Sequence, residues 1–480
     1  MVSNILSKSL YGFKNGTMAP TVLVIFGATG DLARRKIFPA LTVLLEKKIL
    51  PADFKIVAFG RRPFDDEEFR RFVEEGLSVL SGPNEASRAD LQRRLSYHQG
   101  LFTDALSYKR LAQKLGDIDE FEFKKCSNKL FYLAVPPEHY EMIGNHLAQS
   151  GLTIPCSDGT GWTRVLLEKP FGRDYRSARK LDRLLGKLFR EEQIFRIDHY
   201  LAKETVQNIL TFRFENSIFE PLWNDKHITS VEIDLLESGI VGSRGLLYDG
   251  LGTLRDVGQN HLLTMLSVIA AERPREFKGE ALRSARSAVL RKLQPVRIKE
   301  LPRFVRRGQY DGYIKENGVA PNSQTETFFR LKAFIGNKRW RGVPFILTSG
   351  KALAHSKAEI RICFKDGAYK SSGPNLLSFR VQPEEGITLS FNVRKPGTVD
   401  STSTEHLSFS YPTSRKLIGG EAYERVLIDC IRGDQTLFAS TEEIEASWKF
   451  ITPILDNWNK LPLIKYRAQS NEILRETMFE

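Results

Sequence analysis

Apolar and polar positions follow two different regimes along this chain. Up to about residue 200, short continuous apolar runs are separated by longer segments of helical period. The runs are Thr21–Phe26, Phe54–Gly60, Lys129–Val135 and Arg164–Leu167. They are rich in β-branched and aromatic side chains and predict buried parallel strands. Between them the spacing predicts helices over Leu32–Leu45 (despite Pro39), Asp65–Leu80 and Glu138–Gln149, and a polar helical connection over Asp174–Glu192. Ser81–Asn84 and Ser157–Gly161 read as breaks, and a polar segment follows the first of them to about residue 128. Strands alternating with helices predict a doubly wound parallel α/β sheet.

Past residue 228 the pattern changes. Ile228–Leu235 alternates as a half-buried strand does, and strand-like runs recur at Thr327–Phe334, Phe345–Thr348, Glu359–Phe364, Leu377–Val381 and Ile387–Phe391. With few helices between them, they predict a large, mainly antiparallel sheet of an α+β domain. Arg255–Leu266 reads as a helix apolar on most sides, hence buried. Helical patterns return from Glu421.

Composition narrows the partners. The 480 residues are 41% apolar and 27% charged, ordinary for a globular protein with more than one domain. The 71 basic and 58 acidic side chains leave a net charge of +13, which suits an anionic partner. The basic residues are spread along the chain, so a phosphorylated metabolite or a dinucleotide fits better than nucleic acid. Cys126, Cys156, Cys363 and Cys430 lie far apart and form no C-x-x-C. That spacing predicts neither a metal site nor a disulfide framework and fits a reducing cytoplasm. Met1–Pro20 lacks the continuous apolar run of a signal peptide and reads as a loose tail, and no stretch is long enough to span a bilayer.

Candidate chemistry sits at the ends of the predicted strands. Gly27-Ala28-Thr29-Gly30-Asp31-Leu32 joins a strand to a helix. Such a turn is either an ordinary βα connection or a phosphate cradle at a helix N-terminus. The second strand ends at Gly60 and is followed by Arg61 and Arg62. In a dinucleotide fold that position faces the adenine ribose, where arginine accepts a 2′-phosphate and a carboxylate would bind the 2′-hydroxyl. The alternative is a solvated basic turn. Lys169, in Glu168-Lys169-Pro170-Phe171-Gly172, stands where ligands bind in such sheets, although a surface lysine in a turn reads the same way. His199 and Lys203 are four apart, so on a helical turn they share a face able to grip a phosphate. Equally, Asp198 could cap a helix whose first face is solvated. His261 lies on a stripe with Val257 and Met265, where a histidine is usually a satisfied core residue.

Taken together, these motifs resemble glucose-6-phosphate dehydrogenases. Gly27–Ala33 is similar to the family's nucleotide loop, and Glu168–Gly172 to its EKPFG motif. Arg196–Lys203 resembles RIDHYLGK, with Ala202 in place of the usual glycine, and Arg255–Leu263 resembles RDxxQNHLL. Arg339–Phe345 with Gly350–Leu353, and Ala422–Arg425 with Gln435–Phe438, resemble further family segments. The likeness runs from about residue 20 to 460. It implies oxidation of glucose 6-phosphate at C1 with NADP, His261 acting as general base and Asp198 orienting it. It implies cofactor contacts at Gly27, Thr29, Gly30, Asp31, Leu32, Arg61 and Lys169. It implies substrate contacts at Lys169, His199, Tyr200, Lys203, Glu237, Asp256, Lys351 and Gln382, and no metal. Three regions follow: a tail (1–19), a Rossmann-like dinucleotide-binding domain (20–198), and an α+β substrate-binding and oligomerisation domain (199–480). A cytoplasmic homodimer or homotetramer is implied, with neither nucleic acid nor membrane as partner. A glucose–fructose oxidoreductase type of enzyme shares the E-K-P lysine but does not explain His199, Lys203 or the RDxxQNHLL helix. A non-enzymatic basic nucleotide or nucleic-acid binder would need a basic face outside the cleft.

Overall fold

The computed structural model describes residues 19–78, 84–156, 161–366, 373–398, 401–411 and 422–479. All but the last residue of the expected tail, residues 81–83 of the first predicted break and 157–160 of the second lie outside them. The chain forms two compact units. The first takes the described residues up to Gly172, then Arg179–Ile197 and the described part of Thr413–Ala439.

Its parallel strands are β1 (Thr21–Phe26), β2 (Phe54–Gly60), β3 (Leu95–Gln99), β4 (Asn128–Leu133), β5 (Thr163–Leu167) and β6 (Ile194–Ile197). They lie in the order β6-β5-β4-β1-β2-β3, and Phe438–Ala439 adds antiparallel to β6 as a short edge. Every residue of β1 is buried, which explains why its sequence is apolar without alternation. The chain runs from β1 outward to β3, then returns to place β4 on the other side of β1. The carboxyl ends of β1 and β4 therefore form the switch point, where doubly wound sheets bind ligands.

The polar segment before residue 128 is more structured than its pattern predicts. It holds helix Glu85–Arg94, strand β3 and helix Ala105–Asp117. The first helix buries only Ser87 and Leu91, so it carries almost no apolar period. Asn84 starts it by accepting from Ser87 N at 2.8 Å, and Asp104 caps the second helix at Leu106 N and Ser107 N. Caps and docking, rather than an apolar stripe, fix both. Cys126 and Cys156 are also joined in a disulfide, against the expectation of isolated cysteines. Helix Tyr140–Gln149 returns the chain from the end of β4 to the start of β5, so residues 30 apart in sequence meet at the amino ends of adjacent strands. Among the described residues Cys363 and Cys430 are free thiols.

The second unit takes Arg173–Ala178, the described residues of Asp198–Pro412, and Ser440–Phe479. Its strands are β7 (Ile228–Leu236), β8 (Val305–Tyr310), β9 (Phe328–Ala333), β10 (Phe345–Gly350), β11 (Lys357–Phe364), β12 (Leu376–Gln382), β13 (Gly386–Arg394), β14 (Thr402–Ser410) and, after the Phe438–Ala439 edge strand of the first unit (β15), β16 (Leu463–Tyr466). The sheet runs β14-β13-β12-β11-β7-β10-β9-β8-β16. All neighbours are antiparallel except β7 with β10 and β8 with β16. The expected mainly antiparallel sheet is present, with β8, β14 and β16 added to the predicted runs.

One buried helix positions the site. It opens with wide π-type turns over Leu254–Leu262 and continues as an α-helix over Leu263–Ala270. Such wide turns are frequent at functional sites. It approaches the sheet at Gly258, where a Cβ would stand 2.7 Å from the Phe329 ring. Both ends are pinned. The buried Glu326 carboxylate accepts from Leu254 N at 3.0 Å, where an acidic group complements the helix dipole. At the other end Arg213 donates to the carbonyls of Ile269 and Ala271, and the indoles of Trp223 and Trp340 donate to those of Ile269 and Ala270. Carbonyls left over at a helix C-terminus are thereby satisfied in a dry interior.

Candidate active site

In the first unit the Gly27–Gly30 turn leaves β1 at the switch point. Gly27 has φ +79°, and a Cβ there would lie 2.5 Å from the Ala134 carbonyl oxygen just beyond β4. Only glycine fits, and the bare backbone forms a concavity. Gly30 N donates to Gly27 O at 2.9 Å, and Arg34 N to Gly30 O at 3.1 Å, starting the helix. Thr29 is half-buried and Asp31 exposed, and Asp31 lies 4.0 Å from Arg35. Arg61 is exposed at the end of β2, with no carboxylate in its place. The neighbouring Arg62 guanidinium lies over the Phe72 ring at 5.4 Å, so of the two arginines it is the one spent on packing. Lys169 lies two residues beyond the end of β5, and the bond from it to Pro170 is cis. The turn is held from below: Tyr132 donates to Glu168 Oε1 and Tyr140 to the Glu168 carbonyl, each at 2.7 Å. These features fit a dinucleotide carrying a 2′-phosphate.

In the second unit Asp198 and His261 meet. His261 Nδ1 lies 2.8 Å from Asp198 Oδ1, and both side chains are buried. Tyr200 N donates to the same oxygen at 2.9 Å, and Thr264 Oγ1 donates to Oδ2 at 2.8 Å. Burial by itself raises this carboxyl's pKa. The charge that His261 carries when protonated, and the hydrogen bonds from His261, Thr264 and Tyr200 N, outweigh it and hold Asp198 well below the usual range. An ionised carboxylate only accepts, so Nδ1 carries the proton and Nε2 is the basic nitrogen. The Tyr200 ring lies 4.6 Å from that of His261, and burial pushes its phenol well up, helped by the charges of Glu237 and Asp198.

Residues 199–203 do not form the helical turn that their spacing predicts. They make two successive turns, with Leu201 N donating to Asp198 O and Lys203 N to Tyr200 O, and the helix starts only at Glu204. Lys203 has extended backbone at the cap position, so a shared helical face does not describe it and His199. The reason is Asp198. Its carboxylate accepts from Tyr200 N, which ties the chain into a turn immediately after it. Asp198 thus serves this turn and His261 rather than capping the helix. Ala202 is buried, and its carbonyl accepts from the Gln207 side chain.

Glu237 and Lys351, far apart in sequence, pair at 2.7 Å. The lysine is 2% exposed, and its ammonium also sits 5.5 Å over the Tyr248 ring. Gln382, at the end of β12, lies 3.5 Å from the Tyr200 hydroxyl. Asp256 is half-buried on the wide-turned helix, and its carbonyl accepts from Asn260. The expected cofactor residues thus lie in the first unit, and the expected base and most substrate residues in the second. Sequence reading passed over Thr264 and Glu326. Thr264 carried one signal, its position three residues after His261 on one helix, whereas Glu326 carried none.

Two family models match in tandem. One, described as glucose-6-phosphate dehydrogenase, NAD binding domain, covers residues 24–208, and the other, its C-terminal domain, covers 210–476. The chain is 40% identical over 466 residues to the glucose-6-phosphate 1-dehydrogenase of Chlamydia muridarum (strain MoPn / Nigg), covering 92% of this chain and 91% of that one. It is 38% identical over 462 residues to the enzyme of the same name from Bacillus subtilis (strain 168), covering 93% of each. Among solved structures, a glucose-6-phosphate dehydrogenase in complex with its substrate glucose-6-phosphate superposes with a TM-score of 0.86 at 34% identity. That match covers 96% of this chain and 98% of the other.

Proposed function

The chain belongs to the glucose-6-phosphate dehydrogenase family: it oxidises D-glucose 6-phosphate at C1 with NADP, and we propose that His261 and Asp198 are the catalytic pair. The observation that carries this reading is the 2.8 Å contact between His261 Nδ1 and an Asp198 carboxylate that is buried and held ionised. His261 Nε2 takes the proton of the C1 hydroxyl as the C1–H bond breaks, and C1 becomes the lactone carbonyl of 6-phospho-D-glucono-1,5-lactone. Asp198 keeps the ring in the required tautomer and stabilises the imidazolium that forms. Bound NADP supplies the electrophilic carbon that receives the hydride.

In the same reading Gly27, Thr29, Gly30, Asp31 and Leu32 cradle the pyrophosphate, Arg61 takes the 2′-phosphate, and Lys169 serves both cofactor and sugar. His199, Tyr200, Lys203 and Lys351 bind the sugar or its phosphate. Glu237, Asp256 and Gln382 read sugar hydroxyls. The dinucleotide-binding domain then spans 20–198 and the substrate domain 199–480, except that Arg173–Ala178 and Asp198 group with the second compact unit and the described part of Thr413–Ala439 with the first. The test is absorbance of the reduced cofactor with glucose 6-phosphate and either NADP or NAD, in wild type and His261→Ala. Equal turnover by the two proteins would defeat the assignment of the pair.

We also propose a cytoplasmic homodimer or homotetramer built through the large sheet. Strand β14 lies at its edge, is exposed along nearly its whole length, and carries Leu407 and Phe409 outward. An open edge strand of this length, with two exposed apolar side chains, favours pairing with another chain. The charged substrate and cofactor do not cross membranes unaided, which favours the cytoplasm. No helix among the described residues is long and apolar enough to cross a membrane. Light scattering reads the oligomer and cell fractionation the compartment; a monomeric enzyme or a secreted one would overturn the respective proposal.

A further inference from the structure

We propose that Thr264 is a positioning residue for the catalytic pair: its hydroxyl locks the Asp198 carboxylate in the orientation that serves His261. This rests on the reading of His261 and Asp198 as base and orienting acid.

Asp198 is 4% exposed, so its oxygens need protein donors. Oδ1 receives two, from His261 Nδ1 and Tyr200 N. Oδ2 receives the Thr264 hydroxyl at 2.8 Å. A carboxylate torsion is soft and two-fold, so contacts to a single oxygen leave its plane poorly fixed. The third donor, on the other oxygen, removes that freedom. The donor is itself stiff, since a β-branched side chain on a helix has few χ1 choices. A hydroxyl has one proton to give, and here it goes to Asp198. His261 and Thr264 stand three apart where the wide turns give way to the α-helix, so one helix presents a donor to each oxygen of one carboxylate. Among the described residues, the titratable groups beside the pair include Tyr200, across the His261 ring, and Glu237, whose charge reaches Tyr200. Neither donates to Oδ2.

The test compares Thr264→Val, which keeps shape and removes the donor, with Thr264→Ser, which keeps the donor. In Thr264→Val, kcat should fall about tenfold, the worth of one hydrogen bond to a charged group, while KM for glucose 6-phosphate and NADP changes less than about twofold. Its kcat/KM profile should also lose activity at a higher pH than wild type on the acid side. A carboxylate with one donor fewer is a stronger acceptor and favours the imidazolium, raising the pKa of His261. A purely structural role would not move that limb. Thr264→Ser should regain most of the turnover. A valine variant within about twofold of wild-type kcat, or a serine variant as slow as valine, would overturn the proposal. If the valine protein does not fold, Thr264→Cys replaces it. A thiol is a weak donor, so a cysteine variant as fast as the serine one also overturns the proposal. His261→Ala runs alongside. Should it keep wild-type turnover, the reading of the pair fails and this proposal with it. Should it be inactive while Thr264→Val is normal, the pair stands and only the role of Thr264 falls.

Discussion

His261 shows what a single residue owes to its surroundings. On its own helix it reads as a core histidine, and it is proposed as the base only because Asp198, 63 residues earlier, meets its Nδ1. Replacing it with alanine or asparagine should leave KM nearly unchanged and lower kcat by a factor on the order of 100 or more, the usual worth of a general base. Steady-state kinetics at saturating NADP decides this. Arg61 makes the second prediction at this scale. It is exposed where a carboxylate would select NAD, whereas Arg62 lies against Phe72. A hydrogen bond to a charged group contributes ~1.5–3 kcal/mol, so one contact favours NADP roughly ten- to a hundredfold. Arg61→Ala should weaken NADP use and spare NAD use. The ratio of specificity constants at fixed ionic strength measures it, because salt screens exposed charges. An unchanged ratio moves the role elsewhere.

Among the elements, the buried helix from Leu254 to Ala270 carries the proposed base and Thr264, and its ends are where it is vulnerable. Arg213 is fully buried and donates to two of its last carbonyls while pairing with Glu220. Arg213→Met keeps bulk but strands the Ala271 carbonyl and leaves that of Ile269 to Trp223 alone, and should cost about 3 kcal/mol of stability, visible as a lower melting temperature. A variant that melts with wild type would show that the helix end is held otherwise. The Cys126–Cys156 bond makes the opposite kind of prediction. It ties the amino ends of β4 and β5, whereas the proposed cofactor turn lies at strand carboxyl ends. Closing a loop of that length contributes about 2–4 kcal/mol, largely by restricting the unfolded chain. Dithiothreitol should therefore lower the melting temperature and leave kcat unchanged at temperatures where the protein stays folded. A loss of kcat in parallel would mean that the bond shapes the site.

At the scale of the whole molecule, the open question is how the nine-stranded sheet ends. One edge is β14, exposed and carrying Leu407 at 62% and Phe409 at 48% exposure. A lysine on such an edge opposes strand pairing. Leu407→Lys combined with Phe409→Lys should shift the protein to a smaller species in light scattering. An unchanged mass would place the interface elsewhere.

Local order was legible in the residues. The nearly continuous apolar runs marked β1, β2, β4 and β5, because a strand covered on both faces keeps few polar positions. Gly27 was legible because a turn that tight excludes any side chain, and the buried helix because its apolar residues encircle it. Short polar elements were hidden: helix Glu85–Arg94 and strand β3 hold their place by a cap and by docking, which leave no period in the sequence. The turns at residues 199–203 were misread as helical, because spacing alone cannot tell that Asp198 spends its carboxylate on Tyr200 N. Tertiary structure alone decided the pairings: His261 with Asp198, Lys351 with Glu237, Arg213 with the end of the buried helix, and Cys126 with Cys156. Each joins groups distant in the chain. Each depends on a direction in space, and a one-dimensional pattern of polar and apolar positions records which groups must be buried but not which of them will face one another.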